Sequence, residues 1–158
     1  TINLTKEIVK RGVKAERLIF GDTVKRPDYM ARYRTVDLFL DTHPYNAGTT
    51  ASDALKMGLP MITYLGQSYQ SRMGASILTS INLPELITNT PEEYEALAIE
   101  LATHPEKLKV IKEKLASNLS TAPLFDTKRF TKNIESAYTQ MYERHHKGLE
   151  PDHIYVEE

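Results

Sequence analysis

The chain has no cysteine and no tryptophan in 158 residues. Without thiols there is no disulfide framework and no thiolate metal site, which fits a reducing compartment. Apolar runs approaching the roughly 18 residues that span a bilayer are missing, and so is the pattern of a secretory leader. A cytoplasmic protein with no membrane partner is therefore expected. An excess of either charge is also missing: 20 Lys+Arg face 21 Asp+Glu, a formal net charge of -1. Such a balance gives no overall attraction to nucleic acid, and no nucleic-acid partner is expected.

What is present is an average globular composition, 41% hydrophobic and 26% charged, of a length suited to one domain. A single domain over 1–158 is expected, with strands and helices alternating over 1–90, helices over 91–147 and a tail over 148–158. The chain opens on Thr1 with no initiating Met, so it reads as a piece of a longer protein. Charge is unevenly spread. Residues 1–34 carry nine basic groups against four acidic ones, enough to set a positive wall beside an anionic ligand, although solvated helix faces give the same pattern.

Apolar spacing predicts an amphipathic helix over 4–11, a buried strand over 17–20 (RLIF) and a short helix over 28–34. A second strand follows over 36–40 (VDLFL), then a loop from Asp41, a helix over 49–57 and a third strand over 60–64 (PMITY). A helix from Gly66 to Ile81 and a short strand over 83–87 complete the alternation. Thr90, Pro91 and the Glu92-Glu93 pair form a helix start for 91–103, with Thr90 as its cap, and further helices are expected over 105–118 and 127–147. This order implies an α/β fold, a Rossmann-like three-layer parallel sheet whose ligands bind beyond the carboxyl ends of its strands.

The loop after VDLFL is where chemistry is expected. Gly48, Thr49 and Thr50 stand where a helix begins, so free backbone N–H groups, two hydroxyls and the positive end of the helix dipole converge on a space suited to a diphosphate. The plainer reading makes Thr49 an ordinary N-cap. Asp53 lies one turn further on the same face, where a carboxylate could accept ribose hydroxyls. The loop matches neither GxGxxG nor a Walker sequence.

Three stretches carry a more specific likeness: DLFLDTHPYNAGTTASDALKMGLPMIT, GQSYQSRMGASIL and APLFDTKRFTKNIESAYTQMYERHHKGLEPDHI. In co-linear order they resemble the C-terminal lobe of the O-GlcNAc transferase family, the TPR-linked, SPINDLY-like glycosyltransferases. The resemblance implies a GT-B architecture of two Rossmann-like lobes, with a UDP-sugar held mainly by the C-terminal lobe and no metal or other cofactor required. It implies that Thr49 and Thr50 contact the donor diphosphate and Asp53 the ribose. Val24, Arg26 and Tyr29 fall at the family's uracil positions, where Arg26 replaces the usual Lys and Tyr29 the usual His.

Two departures stand out. Gly48 replaces the His of an N-x-H-T-T pattern, and Tyr45 replaces a smaller residue near the sugar's N-acetyl group, which leaves the sugar open. The implied activity is inverting transfer of GlcNAc from UDP-GlcNAc to Ser or Thr hydroxyls of a protein acceptor. The first strand of this lobe, whose loop in the family carries a Gln and a Lys that reach the donor, would lie upstream, as would an N-terminal lobe that supplies the acceptor side and TPR repeats. By itself the chain would be one wall of the cleft and inactive, with no catalytic residue of its own. The alternatives are a UDP-binding or interaction module that keeps the fold without turnover, and a flavodoxin-like signalling domain, for which the lone strand-end acid Asp41 is too few.

Other features attract less. His145, His146 and His153 on or beyond a polar helix read as solvent-facing rather than as a metal site. Arg72 reads as structural, the two N-x-S/T sequences at Asn3 and Asn118 as chance, and the Tyr138, Met141 and Tyr142 stripe as packing.

Overall fold

Short apolar segments bounded by turns pair in register in the computed structural model, which describes residues 2–156. β1 (Phe39–Leu40), β2 (Met61–Tyr64) and β3 (Ile87–Thr88) form a parallel sheet in the order β1-β2-β3. Phe39 and Leu40 stand opposite Met61 and Ile62, and Thr63 and Tyr64 opposite Ile87 and Thr88. Met61, Ile62 and Thr63 are all buried. Successive strand residues point to opposite faces, so both faces of β2 are covered, as in the expected three-layer arrangement.

Seven α-helices are formed among the described residues: α1 (Ile2–Lys10), α2 (Arg26–Arg32), α3 (Thr49–Lys56), α4 (Tyr69–Ser80), α5 (Pro91–Thr103), α6 (Pro105–Asn118) and α7 (Thr127–His146). α4 and α5 pack on β2, and α6 packs on α5. The core is Leu55 of α3, Met61 and Ile62 of β2, Leu78 of α4, Ile81, Leu83 and Leu86 of the following turn, and Leu101 and Leu115 of α5 and α6. Caps fix the boundaries. Thr90 accepts from the Glu93 N–H at 3.1 Å, and Ser68 and Ser71 satisfy one another's backbone in a reciprocal cap that starts α4 three residues later than expected from Gly66. Gly58, at φ +82°, ends α3 and turns the chain into β2.

Further expectations change, and the helix expected over 28–34 is α2, which ends at Arg32 in a 3-10 turn (Tyr33–Thr35). Residues 17–20 form no strand: Arg17 closes a 3-10 turn (Ala15–Arg17), and Ile19 is 87% exposed. A strand is stable only on a ladder, and this stretch has none beside it. The 36–40 strand shortens to Phe39–Leu40, and at 83–87 a 3-10 turn (Pro84–Leu86) precedes β3, since Pro84 has no N–H for a ladder. The Tyr138, Met141 and Tyr142 stripe is 61%, 48% and 65% exposed rather than packed. Tyr142 instead lies against the His146 ring, with centroids 4.2 Å apart. No helix among the described residues is long and apolar enough to cross a membrane.

Candidate functional site at the carboxyl edge of the sheet

β1 ends at Leu40, and the next residue, Asp41, organises the loop into α3. Its carboxylate is buried and both oxygens are engaged: Oδ1 accepts the N–H groups of Thr42 at 2.9 Å and Ala47 at 2.7 Å, and Oδ2 accepts the Thr63 hydroxyl at 2.7 Å. The Asp41 carbonyl accepts the Tyr94 hydroxyl at 2.8 Å. Asn46, also buried, donates from Nδ2 to the Thr42 carbonyl at 2.8 Å and accepts the Gly74 N–H of α4 at 3.3 Å. At the loop tip the His43–Pro44 bond is cis, the Thr42 hydroxyl donates to the Tyr45 carbonyl at 2.6 Å, and the His43 ring leans on Tyr64 with centroids 4.2 Å apart. The loop is thus tied to β2, α4 and α5 before α3 begins.

Gly48, not Thr49, caps α3, and having no side chain it offers the first turn no cap bond. Thr49 and Thr50 occupy the first two helical positions with exposed side chains, so the plain N-cap role for Thr49 does not hold. Their N–H groups lie among the helix donors that have no intrahelical partner, at the positive end of the dipole. Asp53, one turn later, is buried among Ala51, Ala54 and Leu55. Its Oδ1 accepts from Arg26 Nη2 at 3.0 Å, across 27 residues.

α2 therefore sits against α3. Tyr29 meets Tyr33 edge-on, with ring centroids 5.2 Å apart, their hydroxyls bond, and the Tyr33 hydroxyl donates to the Thr50 carbonyl at 3.3 Å. Burial pushes the Tyr33 phenol above its ordinary value; the Tyr29 bond and the Asp53 charge add to this and Arg26 opposes it. Burial likewise raises Tyr94 to about 12, with the Asp41 charge adding.

Of the residues expected in the site, Gly48, Thr49, Thr50, Asp53, Arg26 and Tyr29 come together. Val24 lies on exposed chain two residues before α2, and Tyr45 is largely exposed at the loop tip; neither joins this hydrogen-bonded cluster through its side chain. The motif and its spacing assign no role to Tyr33, Asn46, Thr63 or Tyr94. Only Tyr33 had a local signal, four residues after Tyr29 on one helix face. Arg72 bonds the Gln67 carbonyl at 2.5 Å, a structural role. Among the described residues no three His, Asp or Glu side chains gather as metal ligands.

Comparison with known proteins decides the family. The model described as glycosyl transferase family 41 matches residues 1–134. The chain belongs to glycosyl transferase family 41. Within it, the chain is 36% identical over 147 residues to a protein of Arabidopsis thaliana named probable UDP-N-acetylglucosamine–peptide N-acetylglucosaminyltransferase SEC, covering 92% of this chain and 15% of that one. A Caenorhabditis elegans protein named UDP-N-acetylglucosamine–peptide N-acetylglucosaminyltransferase is 32% identical over 152 residues, covering 96% and 13%. A solved O-GlcNAc transferase mutant of Thermobaculum terrenum is 35% identical with a TM-score of 0.83, covering 89% of this chain and 27% of that one. The α/β fold and the resemblance read from the motifs are therefore those of this glycosyltransferase family, and the chain spans about a seventh of these curated relatives.

Proposed function

We propose that this chain is the UDP-sugar-holding part of a glycosyltransferase that moves GlcNAc from UDP-GlcNAc to Ser or Thr hydroxyls of a protein acceptor, without metal or other cofactor, in the cytoplasm. The observation that carries the reading is the convergence of the uncapped first turn of α3 with the Arg26–Asp53 pair and Tyr29, at the carboxyl edge of a parallel sheet.

In this reading the N–H groups and hydroxyls of Thr49 and Thr50 take the diphosphate, and their dipoles stabilise the charge that builds on departing UDP. Asp53 Oδ1 holds Arg26, while its second oxygen is available to ribose hydroxyls. Tyr29 and Arg26 flank the uracil with the backbone near Val24, and Tyr45 lies near the sugar. A second lobe supplies the acceptor side of the cleft, and TPR repeats precede it. The 158 residues alone then transfer no sugar, because donor and acceptor must be held together for reaction.

Calorimetric titration with UDP, ADP and GDP tests the reading. UDP binding at least tenfold tighter than either purine nucleotide is expected; equal affinity for all three removes the uracil site. A second reading, a UDP-binding module without turnover, is favoured by Gly48, which lacks the imidazole donor implied at that position. Radiolabelled UDP-GlcNAc, a Ser-rich peptide and the longer protein separate the two by turnover.

A further inference from the structure

We infer that Tyr33 is a positioning residue of the nucleotide site, whose hydroxyl holds the base-side ring of Tyr29 in fixed relation to the first turn of α3. The inference rests on the donor-site reading above and adds to it a residue that neither the motif nor its spacing assigned.

The direction of the bonds follows from counting protons. A carbonyl has none to give and a phenol has one, so the Tyr33 proton is committed to the Thr50 carbonyl at 3.3 Å. The Tyr29 hydroxyl must then be the donor in the bond between the two phenols. Burial raises the Tyr33 phenol, so it keeps that proton throughout the neutral range and the order Tyr29 to Tyr33 to Thr50 does not reverse.

Tyr29 needs such an anchor. It lies on a helix of seven residues, none of them buried, which meets α3 through the Arg26–Asp53 pair and the Tyr33–Thr50 bond. An unanchored ring would have to be ordered when a base stacks on it, and that ordering opposes binding. Anchored through Tyr33, the ring is already set. The anchor ends on Thr50, a proposed diphosphate residue, so base and diphosphate subsites keep one separation and a nucleoside diphosphate meets both at once. Loss of the Tyr33 hydroxyl leaves the helical ladder of α3 in place, because the bond to Thr50 is additional to it.

Calorimetry with UDP, ADP and inorganic pyrophosphate on the unaltered protein, Tyr33→Phe, Tyr29→Phe and the double variant tests this. Phe keeps each ring and removes only the hydroxyl. Tyr33→Phe is expected to weaken UDP about three- to tenfold, the effect of freeing one ordered side chain, and to leave pyrophosphate within about twofold. Both single changes break the same bond, so the double variant binds UDP no more weakly than Tyr33→Phe alone. Unchanged UDP affinity in Tyr33→Phe overturns the inference, as does an equal loss for pyrophosphate, which would mark a merely structural role. If the unaltered protein binds UDP no better than ADP, the donor-site reading itself fails and takes the inference with it.

Discussion

Arg26 and Asp53, on separate helices and 27 residues apart, meet through a hydrogen bond of 3.0 Å between Nη2 and Oδ1. The carboxylate is mostly buried while the Arg26 side chain is 66% exposed, so solvent screens the pair and its own contribution to stability is below about 1 kcal/mol. Its larger effect is expected on binding. Asp53→Asn should weaken uridine and UDP together, by about 1–3 kcal/mol, while 2′,3′-dideoxy-UDP feels little change. Calorimetry with the three ligands checks this.

Thr50→Val removes a hydroxyl at the open first turn of α3 without removing its N–H. UDP binding should fall by about 1–3 kcal/mol, as for a hydrogen bond to a charged group, and uridine binding should hold. Equal losses for both ligands would trace the effect to a disturbed fold rather than to the diphosphate.

Asp41 carries the loop that leads to this turn. Asp41→Ala leaves the buried Thr63 hydroxyl and the N–H groups of Thr42 and Ala47 without their acceptor, and should destabilise the protein by about 2–4 kcal/mol in urea unfolding. Gly74→Ala tests the same spot from α4. Its new methyl would stand 2.4 Å from Asp41 Oδ2 and Thr63 Oγ1, so a loss of about 1–3 kcal/mol is expected from a change that is usually mild in a helix.

Tyr94 donates to the Asp41 carbonyl, and its phenol is raised from 10.0 to about 12. The folded protein thus holds this proton more tightly than the unfolded chain does. The stability this gives is complete below pH 10 and is lost as pH rises toward 12. Tyr94→Phe should flatten the decline of urea midpoint over that window, leaving the part due to Tyr33, whose phenol is also raised. An unchanged slope would show that Tyr94 is not protonated against Asp41 in the fold.

How much of this was legible in the sequence depended on distance along the chain. The starts of α5 and α3 could be read because caps, Pro91 and the small residues before Thr49 act within one turn. Gly48 took the cap position from Thr49 through backbone geometry, which composition does not encode. RLIF has the residues of a strand but no neighbour to pair with, and pairing is not a property of the segment. Asp41 was visible as a strand-end acid, yet its partners Thr63 and Tyr94 lie 22 and 53 residues further on, so its work in holding the loop emerged only from the fold. The Arg26–Asp53 contact is of the same kind: both residues were placed at the site, and their bond to each other was not.

In the proposed function the first turn of α3 receives a diphosphate beside a base held by α2. Amide chemical shifts during titration with UDP test it most directly. The amides of Thr49, Thr50 and Ala51 should move most, those of Val24, Lys25, Arg26, Asp28 and Tyr29 should move with them at the same affinity, and pyrophosphate should shift only the first group. Silent amides at Thr49–Ala51 under saturating UDP, with shifts confined to another part of the molecule, would contradict it.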